Sequence, residues 1–311
     1  MKKYIFNILE FCFFSFVIIL LIVFFMPNYN IYDNLLYANK DKQNRLQNLS
    51  SPKIIFIGGS NVSFGVNSKM IQDSLKMPVV NMAIHGNLGA DFMMEEIKPF
   101  VNRGDIVVFI PDYTQFAGNV SKGNIELVAL MIDGNPSSKQ FIPFKQRISL
   151  LSKFLEYGIT KIKLPTIFIL DKLTGQTSGS GPYKRSSFNE YGDVRTEWLE
   201  NKQEYIPLKD NSIDKLNSKF FNELEEFKNY ITDKNASLLI LPPTLDNTSY
   251  NAVKNKINEI SSWINKDKLS LDYSPQEFIY QDSLFYDFPF HLNRKAVDNN
   301  TRKIIRKIRA N

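Results

Sequence analysis

A short apolar run that stops at two glycines and a serine constrains the fold of this chain more than any other feature. Residues 54–57 form the run, Gly58 and Gly59 end it, and Ser60 follows at once. The run predicts a buried strand, and the glycines permit a sharp turn with close backbone approach. A serine at the carboxyl end of a strand lies where open α/β sheets bind ligands. Ser60 is therefore either a nucleophile with a base nearby or an ordinary helix-capping serine.

Continuous apolar runs recur along the chain and alternate with segments of helical periodicity. Strands that are apolar on both faces are typical of a parallel sheet covered by helices on both sides. The predicted fold class is therefore α/β, with a parallel sheet between two helical layers. Besides the first strand, the sequence predicts strands at 79–80, 105–110, 237–241 and 269–273, and helices at 68–76, 89–101, 213–231, 253–264 and from Asn293.

The N-terminus carries a long apolar run behind a charged start. Lys2 and Lys3 precede about 20 mostly apolar residues, the length that crosses the hydrocarbon core of a bilayer. No small-residue cleavage site follows, so residues 1–27 are predicted to form a cytoplasmic tip and an uncleaved transmembrane anchor. The positive-inside rule then predicts a single-pass membrane protein whose main domain lies on the extracytoplasmic side. A buried core helix fits poorly because the run is apolar all round.

The remaining chain divides by composition. Residues 28–52 are rich in Asn, Asp, Lys and Gln and are predicted to form a polar tether, and residues 53–311 the main domain. The strand–helix alternation breaks at about 116–212, which predicts an insertion that is either a lid over the site or a loop-rich subdomain. Within it, an apolar patch with basic residues at 145–172 either packs on the core or rests on a membrane.

The composition excludes several kinds of site. The chain has 311 residues and one cysteine, Cys12, inside the apolar run, which excludes a disulfide framework and a cysteine metal site. We expect no cofactor and no metal. The net charge of +6 favours anionic surroundings such as phospholipid head groups or acidic polymers. It is too small and too scattered to indicate nucleic acid binding.

The chain contains only two histidines, His85 and His291, so the candidates for a base are few. His291 lies just before the last predicted helix, and Asp287 precedes it by four residues. On a turn entering a helix these side chains can share one face, so that Asp287 orients the imidazole while the other ring nitrogen faces Ser60. Alone, His291 is better interpreted as a helix cap or as one member of a surface pair. Together with a Gly-Gly-Ser at a strand end, the pair favours a Ser-His-Asp triad.

These residues resemble the SGNH, or GDSL-like, hydrolase superfamily. Gly58-Gly59-Ser60-Asn61 is similar to its first motif, residues 81–86 to its second, and Asp287 with His291 to its last. The resemblance covers residues 53–311 apart from the insertion and implies a flavodoxin-like parallel sheet. It also implies that Ser60 is the nucleophile, and that Gly86 gives a backbone N–H to the oxyanion hole.

Two departures from the family pattern bear on the site. The third motif normally supplies an asparagine to the oxyanion hole, but the third strand here ends Pro-Asp112-Tyr-Thr-Gln115. Asn87 or Gln115 is a candidate replacement, and Asp112 and His85 are expected to line the oxyanion or substrate site with Asn87. The spacing from Asp287 to His291 is one residue wider than the family's commonest form.

An N-terminal anchor before such a domain resembles a group that acts on the bacterial cell envelope. It includes proteins of alginate and other polysaccharide O-acetylation and the D-alanine transfer protein of teichoic acid assembly. The resemblance implies acyl transfer onto an envelope glycan or acidic polymer outside the cytoplasm, beside a multi-spanning membrane acyltransferase. An esterase that uses water as acceptor and a non-catalytic accessory of the acyltransferase are the alternatives.

Overall fold

A parallel four-stranded sheet forms the centre of the molecule. The computed structural model describes residues 2–25, 33–152, 181–266 and 273–311, together with Thr166, Ile169, Leu173 and Leu269. The strands lie in the order β2-β1-β3-β4. Their bounds are β1 (Ile54–Gly58), β2 (Val79–Asn81), β3 (Ile106–Ile110) and β4 (Ser237–Ile240), and a separate parallel pair joins β5 (Leu245–Asp246) to β6 (Ile279–Tyr280).

Helices precede, connect and follow these strands. In chain order they are α1 (Lys2–Phe25), α2 (Ala38–Asn48), α3 (Ser60–Gly65), α4 (Ser68–Leu75), α5 (Ala90–Ile97), α6 (Ile125–Gly134), α7 (Phe144–Ser152), α8 (Ser218–Asp233), α9 (Asn247–Lys266) and α10 (Arg294–Ala310).

Alternate side chains of each strand enter two separate cores, which explains why the strands are apolar on both faces. On one face, residues such as Ile55 and Phe109 pack in a cluster with side chains of α5, α8 and α9. On the other, residues such as Phe56 and Val108 pack with side chains of α4 and α10. The predicted α/β class, with a parallel sheet between helical layers, is confirmed.

The apolar N-terminal run forms α1. Its segment Lys3–Ile22 has a mean hydropathy of 2.6 and is not buried by the rest of the chain. The helix is thus long and apolar enough to cross a membrane, as predicted, although a signal sequence has the same character. The anchored, extracytoplasmic topology stays a prediction.

The prediction that residues 28–52 form a tether is wrong for residues 34–48. Their helix α2 buries Lys42 and Leu46 against the domain. The polar composition was misleading because α2 also buries amides that have hydrogen-bond partners: Asn39 and Gln43 both donate to Glu96. The folded domain therefore begins by residue 34 rather than at residue 53.

The segment predicted as an insertion is helical or irregular in its described parts. It contains α6 and α7, and its strand pairing there consists of isolated bridges such as Phe188 with Val194. Apolar side chains from it, Val128 among them, share one core with Phe64 of α3 and with Leu292. The segment thus packs as part of the main body. Most of the predicted strand 269–273, and residues 153–165 of the predicted apolar patch, lie outside the described residues.

Candidate active site

The strand order reverses between β1 and β3, and open α/β sheets bind ligands in the crevice at such a reversal. β1 leads through Gly58 and Gly59 to Ser60, the first residue of α3, so Ser60 stands at the carboxyl edge of the sheet as predicted. Both glycines permit close approach. A Cβ on Gly58 would lie 2.6 Å from the Ile110 carbonyl oxygen, and one on Gly59 would lie 2.9 Å from the Gly86 Cα.

Ser60, His291 and Asp287 form one hydrogen-bonded chain. The Ser60 Oγ lies 2.8 Å from the His291 Nε2, and the His291 Nδ1 lies 2.8 Å from the Asp287 Oδ1. These predicted contacts are confirmed. A carboxylate at Nδ1 favours the tautomer with a proton there and leaves Nε2 to accept the serine proton. The arrangement is one that can activate a serine hydroxyl, and the catalytic roles themselves stay predictions.

Asp287 and His291 belong to one tight loop, residues 285–292. Phe285 and Leu292 form an antiparallel bridge at its base, and the Tyr286 N–H donates to the His291 carbonyl across it. The loop is thus closed before α10 begins, whereas the sequence suggested a turn that enters the helix. Its closure brings the carboxylate to the imidazole despite the wide spacing between the two residues.

Aromatic rings hold the imidazole in place. The Phe64 ring stacks on His291 with centroids 4.1 Å apart and planes 14° apart. The Phe288 ring lies 5.2 Å away at 48°. Because Phe64 belongs to α3, the helix that begins with Ser60 also provides the surface against which its candidate base packs. Neither the Phe64 ring nor the Phe288 ring was predicted from the sequence to be part of the site.

Tyr183 is a further site residue that the sequence analysis missed. Its hydroxyl donates to the Asp287 Oδ2 at 2.6 Å and lies 3.3 Å from the His291 Nδ1. Burial raises the pKa of Tyr183, and the bond to Asp287 raises it further, so the phenol keeps its proton. Tyr183 follows a Gly/Ser-rich stretch and lies far in sequence from every motif. Only the packing of the insertion brings it to the carboxylate.

Backbone N–H groups meet on the other side of Ser60. Ser60 opens α3 and Gly86 opens a 3-10 turn (Gly86–Leu88), and the first N–H groups of a helix lack intrahelical acceptors. The two loops touch, since a Cβ on Gly59 would lie 3.0 Å from the Gly86 nitrogen. The N–H groups of Ser60 and Gly86 are thus candidate donors to an oxyanion, and this role of Gly86 stays a prediction.

His85 and Asn87 are the two neighbours of Gly86 along the chain. The Asn87 N–H donates to the His85 Nδ1 at 3.0 Å, which leaves the His85 Nε2 to carry the proton of a neutral ring. Burial lowers the pKa of His85, and the nearby His291 lowers it further, so the neutral form is favoured. His85 can thus donate one hydrogen bond to a ligand. The Asn87 side chain is exposed at the edge of the cavity.

Asp112 follows β3 and lines the cavity beside Gly86. Its Oδ1 accepts from the Thr114 N–H and the Thr114 hydroxyl, and its Oδ2 lies so close to Gly86 that a Cβ there would be 2.6 Å away. Burial raises the pKa of Asp112, while hydrogen bonds from Thr114 and Gln115 oppose the rise. Protonated, its carboxyl could donate toward an oxyanion; ionised, it could not.

The alternative that Gln115 replaces the missing asparagine is wrong. Gln115 is buried beneath the cavity, and its amide donates to the Gly86 carbonyl at 3.0 Å. Its Oε1 accepts from the Ala90 N–H at 3.0 Å. Gln115 therefore fixes the Gly86 turn from below instead of facing a substrate.

These residues enclose one cavity of about 340 Å³. Its floor is the triad with Asp112 and the 85–87 turn, and one wall is apolar. The apolar wall comprises Leu208, Phe288 and Phe290. Within the described part of the chain, no cluster of His, Cys, Asp and Glu side chains could hold a metal ion.

Comparison with known proteins adds no assignment to this geometry. No family model matches the chain, and no curated protein matches it.

Proposed function

We propose that this protein is a membrane-anchored, SGNH-like acyl transfer protein that carries an acyl group on Ser60 and passes it to a cell-envelope polymer. The observation that carries the proposal is the unbroken chain from the Ser60 hydroxyl through His291 to Asp287 at the carboxyl edge of the sheet. The strand order 2-1-3-4 and the backbone donors at Gly86 support the same assignment.

The reaction divides into two displacements at Ser60. His291 Nε2 accepts the hydroxyl proton as Ser60 Oγ attacks the acyl carbonyl, and the imidazolium then returns the proton to the leaving group. A hydroxyl of the acceptor next gives its proton to His291 and attacks the Ser60 ester, which frees the serine oxygen to regain a proton. Asp287 stabilises the imidazolium in both halves, and the N–H groups of Ser60 and Gly86 face the developing oxyanion.

The envelope setting rests on α1 and on the resemblance in the motifs. The helix α1 is able to cross a membrane. If α1 is an anchor, it places the domain beside the bilayer. The cavity holds several polar groups beside an apolar wall, which suits an acyl group next to a hydroxylated acceptor. Water in place of the acceptor would make the same residues an esterase.

The test uses the full chain in lipid nanodiscs with a chromogenic acetyl ester as donor. We expect wild-type protein to release the chromophore and Ser60→Ala to release none, while the exposed-site control Ser186→Ala keeps wild-type activity. Adding an envelope oligosaccharide should yield acetylated oligosaccharide at the expense of free acetate. If the acetyl group is released from the donor but never appears on the oligosaccharide, the protein is an esterase instead. If Ser60→Ala releases as much chromophore as wild type, the serine mechanism is refuted.

One observation favours a non-catalytic accessory as the second candidate. The Asp112 carboxyl lies against Gly86, where an ionised group would repel an oxyanion. In that case the protein would bind the polymer or a membrane acyltransferase without forming an ester. Cells that carry only the Ser60→Ala protein decide between the two: wild-type glycan ester content there would support the accessory, and lost esters would support the enzyme.

A further inference from the structure

Four large apolar side chains are exposed among the described residues of the segment from 144 to 173. Phe144 and Ile148, one turn apart on α7, are 75% and 51% exposed. Ile169 and Leu173, in helical conformation, are 56% and 78% exposed. Soluble proteins seldom expose large apolar side chains in such concentration unless the surface has a partner.

The same part of the chain contacts α1. Ile19 of α1 and Leu150 of α7 both pack on Ala129 of α6. Ile19 lies six residues before the end of α1 at Phe25, which is about 9 Å along a helix that rises 1.5 Å per residue. If α1 crosses a bilayer, residues in contact with Ile19 lie at or below the level of the lipid head groups. The α6–α7 corner cannot then stand clear of the membrane.

We propose that α7 lies in the outer interface of the bilayer, with Phe144 and Ile148 turned toward the lipid acyl chains. The proposal depends on α1 being a membrane span and is independent of the chemistry at Ser60. An amphipathic helix of this kind buries its apolar face at the boundary between head groups and acyl chains. The opposite face of α7 packs on the protein, since Gln146 is buried and Leu150 is half-buried.

The charges around α7 suit lipid head groups. Arg147 is exposed on α7, and its guanidinium donates to the backbone carbonyls of residues 140 and 142. Lys139 is exposed just before the helix. Of the acidic groups near Phe144, Glu95 pairs with Lys98, and Glu223 pairs with Lys122, as does Asp91, whereas Glu226 is exposed to solvent. Basic groups alone would suit an acidic protein partner equally well, so the contact of this corner with Ile19 of α1 is what favours the bilayer.

Two attachments to the membrane would fix the domain more firmly than α1 alone. One helix supplies a single point of attachment, about which the domain could otherwise rotate over the bilayer. With α7 in the interface, the cavity at Ser60 would keep one orientation relative to the lipid surface. Such an orientation suits a site that receives its acyl group from the membrane side.

The test measures the depth of single residues in the full chain, purified alone and placed in nanodiscs of zwitterionic and anionic phospholipid. In a Cys12→Ser background, Ile148→Cys and Phe144→Cys receive a nitroxide label, and spin relaxation by oxygen is compared with relaxation by a water-soluble nickel complex. Leu9→Cys, on the exposed surface of α1, is the lipid reference. Lys254→Cys, exposed on α9, is the aqueous reference.

We expect labels at 144 and 148 to resemble the α1 reference, with high access to oxygen and low access to nickel. Labels as accessible to nickel as the one at 254 would overturn the proposal, because the face would then be in water. Labels shielded from both reagents would also overturn it, since a second copy of the chain would then cover the face. The four positions are exposed, so the substitutions leave the core unchanged, and matching thermal unfolding curves check this.

Discussion

Replacing Tyr183 with phenylalanine removes one hydroxyl and leaves the ring that packs near Phe64. That hydroxyl donates to the Asp287 Oδ2 at 2.6 Å, while the other carboxylate oxygen faces His291. Tyr183 touches no reacting atom, so it is a positioning residue. Its loss should leave substrate binding unchanged and should impair the step in which His291 accepts the serine proton.

The size of the effect follows from the contact. A hydrogen bond to a charged group contributes about 1.5–3 kcal/mol. The Asp287 side chain is 16% exposed, so water can replace part of the lost bond and the lower end of that range applies. A loss of about 1.5 kcal/mol corresponds to roughly a tenfold fall in kcat.

Steady-state ester turnover across pH is the assay, with Tyr191→Phe as the matched control. Tyr191 lies in the same insertion, and its hydroxyl accepts a long hydrogen bond of 3.5 Å from the Gln72 side-chain amide. We expect Tyr183→Phe to lower kcat with little change in KM, and Tyr191→Phe to match wild type. A Tyr183→Phe enzyme with wild-type kcat would refute this role for the hydroxyl.

Three further predictions follow from individual contacts. At pH values above neutral, Asp112→Asn should raise ester turnover by about tenfold. The Asp112 carboxyl can donate a hydrogen bond only below its raised pKa, whereas the asparagine amide donates at every pH. Unchanged turnover would contradict a role for residue 112 in the oxyanion hole. Lys42→Met should lower the free energy of unfolding by roughly 3 kcal/mol in urea titrations, because three buried carbonyl oxygens lose their donor, while the exposed-site control Lys40→Met should not. The double variant Ser60→Ala/His291→Ala should be no less active than Ser60→Ala alone, because the two residues act as one unit; a further loss in ester turnover would separate them.

The sheet and its edge could be predicted because short-range patterns determine them. Apolar runs that stop at Gly58, or just before Pro111, indicate strand ends, and residues at the ends of adjacent parallel strands must meet. The contact between Ser60 and His291 follows from the same rule together with the scarcity of histidines. In this way the sequence predicted the part of the site that lies on strands and at the start of a helix.

The remaining features depend on packing between distant segments. Tyr183 reaches Asp287 only because the insertion folds back over the site, and no periodicity marks that return. The burial of α2 was likewise hidden, since its polar side chains are paired inside the protein; Lys42 donates to carbonyl oxygens more than 30 residues away. From composition alone, such polar residues are expected to be exposed to solvent. They are buried because they have hydrogen-bond partners in distant segments.

Labelling with a fluorophosphonate tests most directly whether Ser60 is an activated nucleophile, because the reagent reacts with activated serines whatever their natural substrate. The full chain in nanodiscs would be treated with the reagent, digested, and mapped by mass spectrometry. We predict one modified residue, Ser60, with labelling abolished by Ser60→Ala and strongly reduced by His291→Ala. A native chain that labels no faster at Ser60 than heat-denatured chain does would contradict the proposed acyl transfer mechanism.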